Sequence, residues 1–370
     1  MQIKIIVLSL IAAFSQSVFS QCAAITVQAV ANFTPLAIDS LLESDGLRNG
    51  PDYKGATLFY PSNANKNLTS IVLIPGYLAT EKSIKDWAKY FASRGFICMT
   101  IGTNQLGDNP SLRASALIDG METLRQENER TASPLYQKID KENIAVGGWS
   151  MGGGGAQLAA KIENRIKAVF AIAPWLGRDV SLPSDLEHTA PVLILSGQID
   201  PTAPPATHAN LHYSSTPDST KKLVFEITAG NHYTPLNPNT GNGDAGNVAF
   251  AWLKLFLDND ACYCNMLAVD SLNQNSTASK YETNLTCPKL PTIILEHSEL
   301  NFQVFPNPTS DEFVIEFSTP NKVEYNISDI NGKIMKYGAV SSGEIITIKE
   351  LSTGTYYLKV EKEVTKLLKN

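Results

Sequence analysis

The stretch Asn143-Ile-Ala-Val-Gly-Gly-Trp-Ser-Met-Gly-Gly-Gly-Gly155 organises the reading of this chain. Ile144 to Val146 is a short apolar run of the kind that forms a buried strand. Gly148-Trp149-Ser150-Met151-Gly152 follows as a G-x-S-x-G pattern, and Ala156 to Ile162 has helical spacing. Strand, tight turn and helix in that order lift a serine hydroxyl above the end of a sheet. Gly148 and Gly152 lack the Cβ atoms that would crowd such a turn. The helix behind Ser150 aims backbone N–H groups at the place where a negative oxygen would form.

Outward from this stretch, apolar runs alternate with helical spacing. Expected strands are Ala56 to Tyr60, Ser70 to Ile74, Phe96 to Ile101, Lys167 to Ala173, Val192 to Leu195 and Lys222 to Ile227. Expected helices are Ile84 to Ser93, Pro110 to about Arg130, Pro205 to Tyr213 and Gly246 to Asp258. This rhythm implies a doubly wound α/β fold with a mostly parallel sheet covered on both faces. Chemistry in such sheets gathers outside the strand C-termini.

Ser150 needs a base, because a serine hydroxyl is a poor nucleophile at neutral pH. Of the five histidines, His232 follows the last core strand, close to Gly230. His188 precedes a strand and His297 lies in a linker. His208 and His212, four residues apart, are expected on a solvated helix face rather than as metal ligands, since no third ligand is evident. The base needs a carboxylate to fix its tautomer. Asp200, after Val192 to Leu195, is the choice over Asp179 and Asp218. Ser150, Asp200 and His232 then occur in the order serine, acid, histidine. The N–H groups of Met151 and Tyr77, the latter in the loop Pro75-Gly76-Tyr77, are the expected oxyanion donors. Tyr77, Trp175 and Tyr233 lie on loops that converge on this site, where they could form an apolar cleft.

The chain has 370 residues, enough for two domains, and a net charge of −6, which argues against a nucleic-acid partner. Lys4 followed by the apolar run Ile5 to Phe14 reads as a signal peptide over residues 1–20, removed on export. No later stretch is long and apolar enough to span a bilayer. Five cysteines are present. Cys98 sits in an apolar strand and reads as a buried free thiol. Cys22, Cys262, Cys264 and Cys287 are expected in disulfides, as befits an exported chain. Cys262 and Cys264 are too close to pair with each other, so Cys287 is expected to pair with one of them and Cys22 with the other. No metal site and no cofactor are expected.

The character changes after Cys287. Residues 21–287 are expected to form the catalytic domain, 288–301 a linker, and 302–370 a separate small β-sandwich. That last segment holds short strands at Phe313 to Phe317, Glu324 to Ile327, Ile345 to Ile348 and Tyr356 to Val360, with a hairpin signal at Asn331-Gly332.

Pro75-Gly-Tyr77, Gly148 to Gly155, Ala173-Pro-Trp175 and Trp252 to Asp260 resemble the bacterial cutinase-like polyester hydrolases, over about residues 45 to 290. The resemblance implies a lidless α/β-hydrolase that cleaves cutin-like and aromatic polyesters such as poly(ethylene terephthalate), and short-chain esters, through an acyl-enzyme. It implies Ser150 as nucleophile, Asp200 as orienting acid, His232 as base, and Tyr77 and Met151 as oxyanion donors. Trp175 would be the aromatic wall of the groove. Thr202 stands where relatives often have an aliphatic groove residue, Pro201 beside it is a departure, and Tyr233 stands where many carry phenylalanine. Phe302-Gln-Val-Phe-Pro-Asn-Pro-Thr309, Ile327 to Lys333 and Leu351 to Val360 resemble a type IX (Por) secretion sorting domain. That resemblance implies recognition by the outer-membrane export machinery and a secreted or cell-surface protein; a monomer is expected. The competing readings are a general carboxylesterase or lipase on soluble esters, a peptidase, and a non-catalytic adhesin that keeps the hydrolase fold.

Overall fold

A computed structural model describes residues 25–64, 67–177, 183–268, 277–287, 302–330, 332–361 and 363–370. The expected signal peptide, Cys22, Asp179, the 288–301 linker with His297, and Asn331 lie outside the described residues. The chain divides into two compact units, Met1–Pro288 and Lys289–Asn370.

In the first unit the strands are β1 (Ile38–Leu42), β2 (Ala56–Pro61), β3 (Leu68–Ile74), β4 (Ile97–Ile101), β5 (Ile139–Trp149), β6 (Ile166–Ile172), β7 (Val192–Gly197), β8 (Lys222–Ile227) and β9 (Ala278–Thr283). Among the described residues they form one nine-stranded sheet in the order β1-β2-β4-β3-β5-β6-β7-β8-β9. The run from β4 through β8 is parallel, with β1, β2 and β9 added antiparallel at the two edges. The helices are α1 (Val27–Ala31), α2 (Lys85–Ala92), α3 (Pro110–Glu127), α4 (Met151–Ile162), α5 (Ala209–Ser215), α6 (Asp244–Phe256) and α7 (Cys264–Ala268).

The unbroken apolar runs follow from burial of both faces. Along β3, Ile71 and Leu73 enter one core with Trp87 and Phe91 of α2 and Trp252 of α6. Val72 and Ile74 enter the other with Leu117 of α3 and Ala156 of α4. Successive side chains point to opposite faces, so a strand covered on both sides has no polar alternation.

One segment differs from the sequence expectation in two respects. The helix expected over Pro205 to Tyr213 is a 3-10 turn at Pro205–Thr207 followed by α5, broken at His208, whose backbone (φ −129°, ψ −91°) is not helical. Its histidines are not on a solvated face. His212 is fully buried and His208 nearly so. His212 Nδ1 is 2.8 Å from Gln157 Nε2 of α4, so this face of α5 packs under the serine helix.

Cys264 pairs with Cys287, and Cys98 is the buried free thiol. Cys262 is also disulfide-bonded.

The buried histidines predict an acid-sensitive fold. Burial pushes His212 down to about 3 and His188 down to about 4. Below the ordinary histidine value of about 6.5 the unfolded chain takes up protons that the folded chain refuses, so stability falls with pH from about 6.5 to about 4. Each such histidine costs up to about 1.4 kcal/mol per pH step in that window. Urea midpoints measured at pH 7.5, 6 and 5 should fall steadily. A His188→Asn/His212→Asn double variant should show a shallower fall, and an equally steep one would contradict this origin.

The second unit is all β. It comprises β10 (Phe302–Phe305), β11 (Glu312–Phe317), β12 (Val323–Ser328), β13 (Ile334–Val340), β14 (Ile345–Thr347), β15 (Gly354–Val360) and β16 (Glu363–Lys369). They form sheets ordered β10-β11-β14 and β13-β12-β15-β16 around Phe313, Ile315, Ile327, Ile346 and Leu358. Gly332, with φ +80°, sits in the β12–β13 connection where a hairpin was expected.

Candidate active site

Ser150 lies between β5 and α4 with φ 56° and ψ −119°. A non-glycine residue with positive φ is strained and persists only where its surroundings enforce it. They do so here. The Ser150 N–H donates to the Ile172 carbonyl at 2.8 Å, and its carbonyl accepts from Trp175 N–H and Gly154 N–H at 3.0 Å each. The glycines of the motif are the sites of closest approach. A Cβ on Gly148 would lie 2.5 Å from the Gly152 carbonyl carbon, and one on Gly152 would lie 2.5 Å from the Ile74 carbonyl oxygen. A Cβ on Gly154 would lie 2.2 Å from the Trp175 carbonyl oxygen, so that glycine lets the loop after β6 cross the first turn of α4. This crossing brings Trp175, half-buried, alongside the serine turn.

The loop after β3 approaches from the other side. A Cβ on Gly76 would lie 2.9 Å from Ser150 Cβ, so the Gly76–Tyr77 peptide rests directly against the serine. Among the described residues no acceptor takes the Tyr77 or Met151 N–H. Met151 opens α4, where a backbone N–H has no partner within the helix. These two N–H groups are the expected oxyanion donors, and the start of α4 adds its dipole.

Asp200 and His232 stand on the loops after β7 and β8. A Cβ on Gly197 would lie 2.4 Å from the Asn231 carbonyl oxygen, which shows how tightly these loops pack. Ile199 N–H donates to the Gly230 carbonyl at 2.8 Å. His232 Nδ1 then lies 2.6 Å from Asp200 Oδ2. Asp200 Oδ1 accepts from Thr202 N–H at 2.8 Å and Ala203 N–H at 2.9 Å. Burial alone would raise the Asp200 carboxyl, but the bonds from His232, Ala203 and Thr202 outweigh it and hold the group below the ordinary carboxylate range. Both side chains are buried. Asp218, by contrast, is exposed and pairs with Lys222 at 2.9 Å.

Trp149 and Arg113 act at this site without having been singled out in the sequence. The Trp149 indole N–H donates to the His232 carbonyl at 3.0 Å, and its ring stands 5.1 Å from the imidazole and 5.3 Å from Tyr233. It ties the histidine loop to the serine turn. Arg113 donates to the Pro75 carbonyl at 2.8 Å. The rim is aromatic and open: Tyr77 is 54% exposed and Tyr233 is 65% exposed. The Thr202 side chain is exposed, and its backbone N–H serves Asp200. Ser150 Oγ makes no hydrogen bond among the described residues. Serine–base contacts are often long in apo structures and tighten only when substrate binds.

The sheet order, the serine turn after β5, and the acid and histidine after β7 and β8 define an α/β-hydrolase. Residues 31–288 match the PET hydrolase-like family, and the chain belongs to it. Cutinase 1 of Thermobifida cellulosilytica is 36% identical over 216 residues, covering 58% of this chain and 78% of that protein. A cutinase of Thermobifida fusca is 36% identical over the same length, covering 58% and 68%. A bis(hydroxyethyl) terephthalate hydrolase of Streptomyces coelicolor is 34% identical over 212 residues, covering 57% and 64%. Residues 303–370 match the secretion system C-terminal sorting domain, which supports export to the extracellular space or cell surface. Among the described residues no helix is long and apolar enough to cross a membrane, and no cluster of three or more His, Cys, Asp or Glu is placed to hold a metal.

Proposed function

We propose that this protein is a secreted serine hydrolase that cuts the ester bonds of polyesters through an acyl-enzyme on Ser150. The observation that carries the reading is the 2.6 Å His232–Asp200 bond, buried beside a serine held at φ 56°. Ser150 Oγ attacks the ester carbonyl while His232 Nε2 takes its proton. The negative oxygen of the tetrahedral intermediate lies against the Met151 and Tyr77 N–H groups. The C–O bond breaks, the alcohol leaves with the proton from His232, and a water activated by the same histidine releases the acid. Each step uses side chains, backbone and water.

The polymer reading is supported by the open rim, where Tyr77 and Tyr233 stand exposed on the loops that meet the serine turn and leave room for an extended chain. It is also supported by relatives named as cutinases and as a terephthalate ester hydrolase. Residues 21–287 would act as a monomeric catalytic domain, and residues 302–370 would engage the type IX export machinery. Acid release should be followed from a short-chain nitrophenyl ester and from amorphous poly(ethylene terephthalate) film. The expected result is release from both. Release from the soluble ester alone would reduce the enzyme to a carboxylesterase.

A further inference from the structure

We infer that Arg113 is a positioning residue for the oxyanion hole, clamping the peptide that carries the Tyr77 N–H. The inference rests on the reading of Ser150 as nucleophile. Arg113 lies in the first turn of α3 and is fully buried. Among the described residues it makes no ion pair. Its guanidinium donates instead to three main-chain carbonyls: Pro75 at 2.8 Å, Asp108 at 2.9 Å and Leu106 at 3.1 Å.

The arrangement brackets one peptide. The Pro75 carbonyl, held by Arg113, lies just before Gly76. The Leu106 carbonyl, also held by Arg113, accepts the Leu78 N–H at 2.9 Å, just after Tyr77. Leu78 carries φ 56°, a conformation leucine does not adopt unaided. The Gly76–Tyr77 peptide is therefore fixed at both ends through a single guanidinium. The other oxyanion donor is tied to the same group. A Cβ on Gly155 of α4 would lie 2.9 Å from Arg113 Cβ, so the helix opened by Met151 packs directly on this arginine.

Burying a cation without a counter-ion is costly. Burial pushes the guanidinium down to about 10, still charged at neutral pH. Arginine suits the position because its planar fork holds several carbonyls at fixed angles, which lysine's single ammonium cannot do. Oxyanion stabilisation depends on donors set in place before the charge develops, so a loosened Tyr77 N–H should slow turnover more than it weakens substrate binding.

The test uses Arg113→Lys and Arg113→Gln in the full chain, with folding checked by thermal unfolding. Active serines are counted by end-point titration with a fluorophosphonate. Two quantities are then measured per titrated site: kcat and KM on a nitrophenyl ester, and inhibition by an arylboronic acid, whose tetrahedral adduct on serine places an oxygen in the oxyanion hole. The expected result is a ten- to hundredfold fall in kcat at nearly unchanged KM, boronate affinity weakened by a similar factor, and a smaller loss for lysine than for glutamine. If the glutamine variant does not fold, the lysine variant carries the test. Folded variants that keep kcat per site and boronate affinity within twofold of the parent would overturn the inference, as would a rate loss explained by fewer titratable sites. A parent enzyme that binds neither probe would overturn the serine reading itself.

Discussion

Replacing Ser150 by alanine is expected to lower kcat on a soluble ester by about 10⁵-fold while leaving the fold intact. The alanine keeps the backbone bonds to Ile172, Trp175 and Gly154 that hold the turn, because these involve only the main chain of residue 150. Nucleophile and base act as one unit, so the losses are not additive. A Ser150→Ala/His232→Ala double variant should therefore be no slower than Ser150→Ala alone. A Ser150→Ala enzyme that is folded and within tenfold of the parent would remove the serine from the mechanism.

Asp200→Asn should cost about 10⁴-fold in kcat with a small change in KM. In the native site, Oδ1 is occupied by the Thr202 and Ala203 N–H groups, leaving Oδ2 for His232 Nδ1. Asparagine can keep its carbonyl oxygen on the two backbone donors only by turning its NH₂ toward the imidazole. The histidine then accepts at Nδ1 and carries its proton on Nε2, where a base must be free. The variant should unfold close to the parent temperature, because size is retained and all three bonds survive, one of them reversed in direction. A loss of less than tenfold in the folded variant would show that the carboxylate is not the orienting group.

Legibility varied along the chain for physical reasons. Val192 to Leu195 and Ile71 to Ile74 were plain in the sequence because both faces of those strands are buried. β9 was not. Its exposed Ser279 and Glu282 stand among half-buried residues at a sheet edge, and Lys280 adds a charge, so no apolar run marks it. β13 is unmarked in the sequence for a similar reason, since Ile334 and Tyr337 are exposed.

The site follows the same logic. Ser150, Asp200 and His232 could be put forward as candidates because each follows a strand and the order is restrictive, and the structure joins two of them, Asp200 and His232. The environment of His208 and His212 could not, because a spacing of four places two side chains on one helix face without saying what covers it. Burial under α4 is a property of the packed fold. Trp149 and Arg113 carried no local signal. A tryptophan before a serine and an arginine in a helix's first turn look ordinary until the β3, β6 and β8 loops are brought together around them.

Everything proposed above depends on Ser150 being the nucleophile of an ester hydrolase. The most direct test is to treat the exported protein with diethyl nitrophenyl phosphate, map the modified residue by mass spectrometry, and follow ester hydrolysis in the same samples. The expected result is one diethylphosphoryl adduct, on Ser150, rising in step with the loss of activity. An active, folded protein that stays unmodified at Ser150 while hydrolysis continues would contradict it.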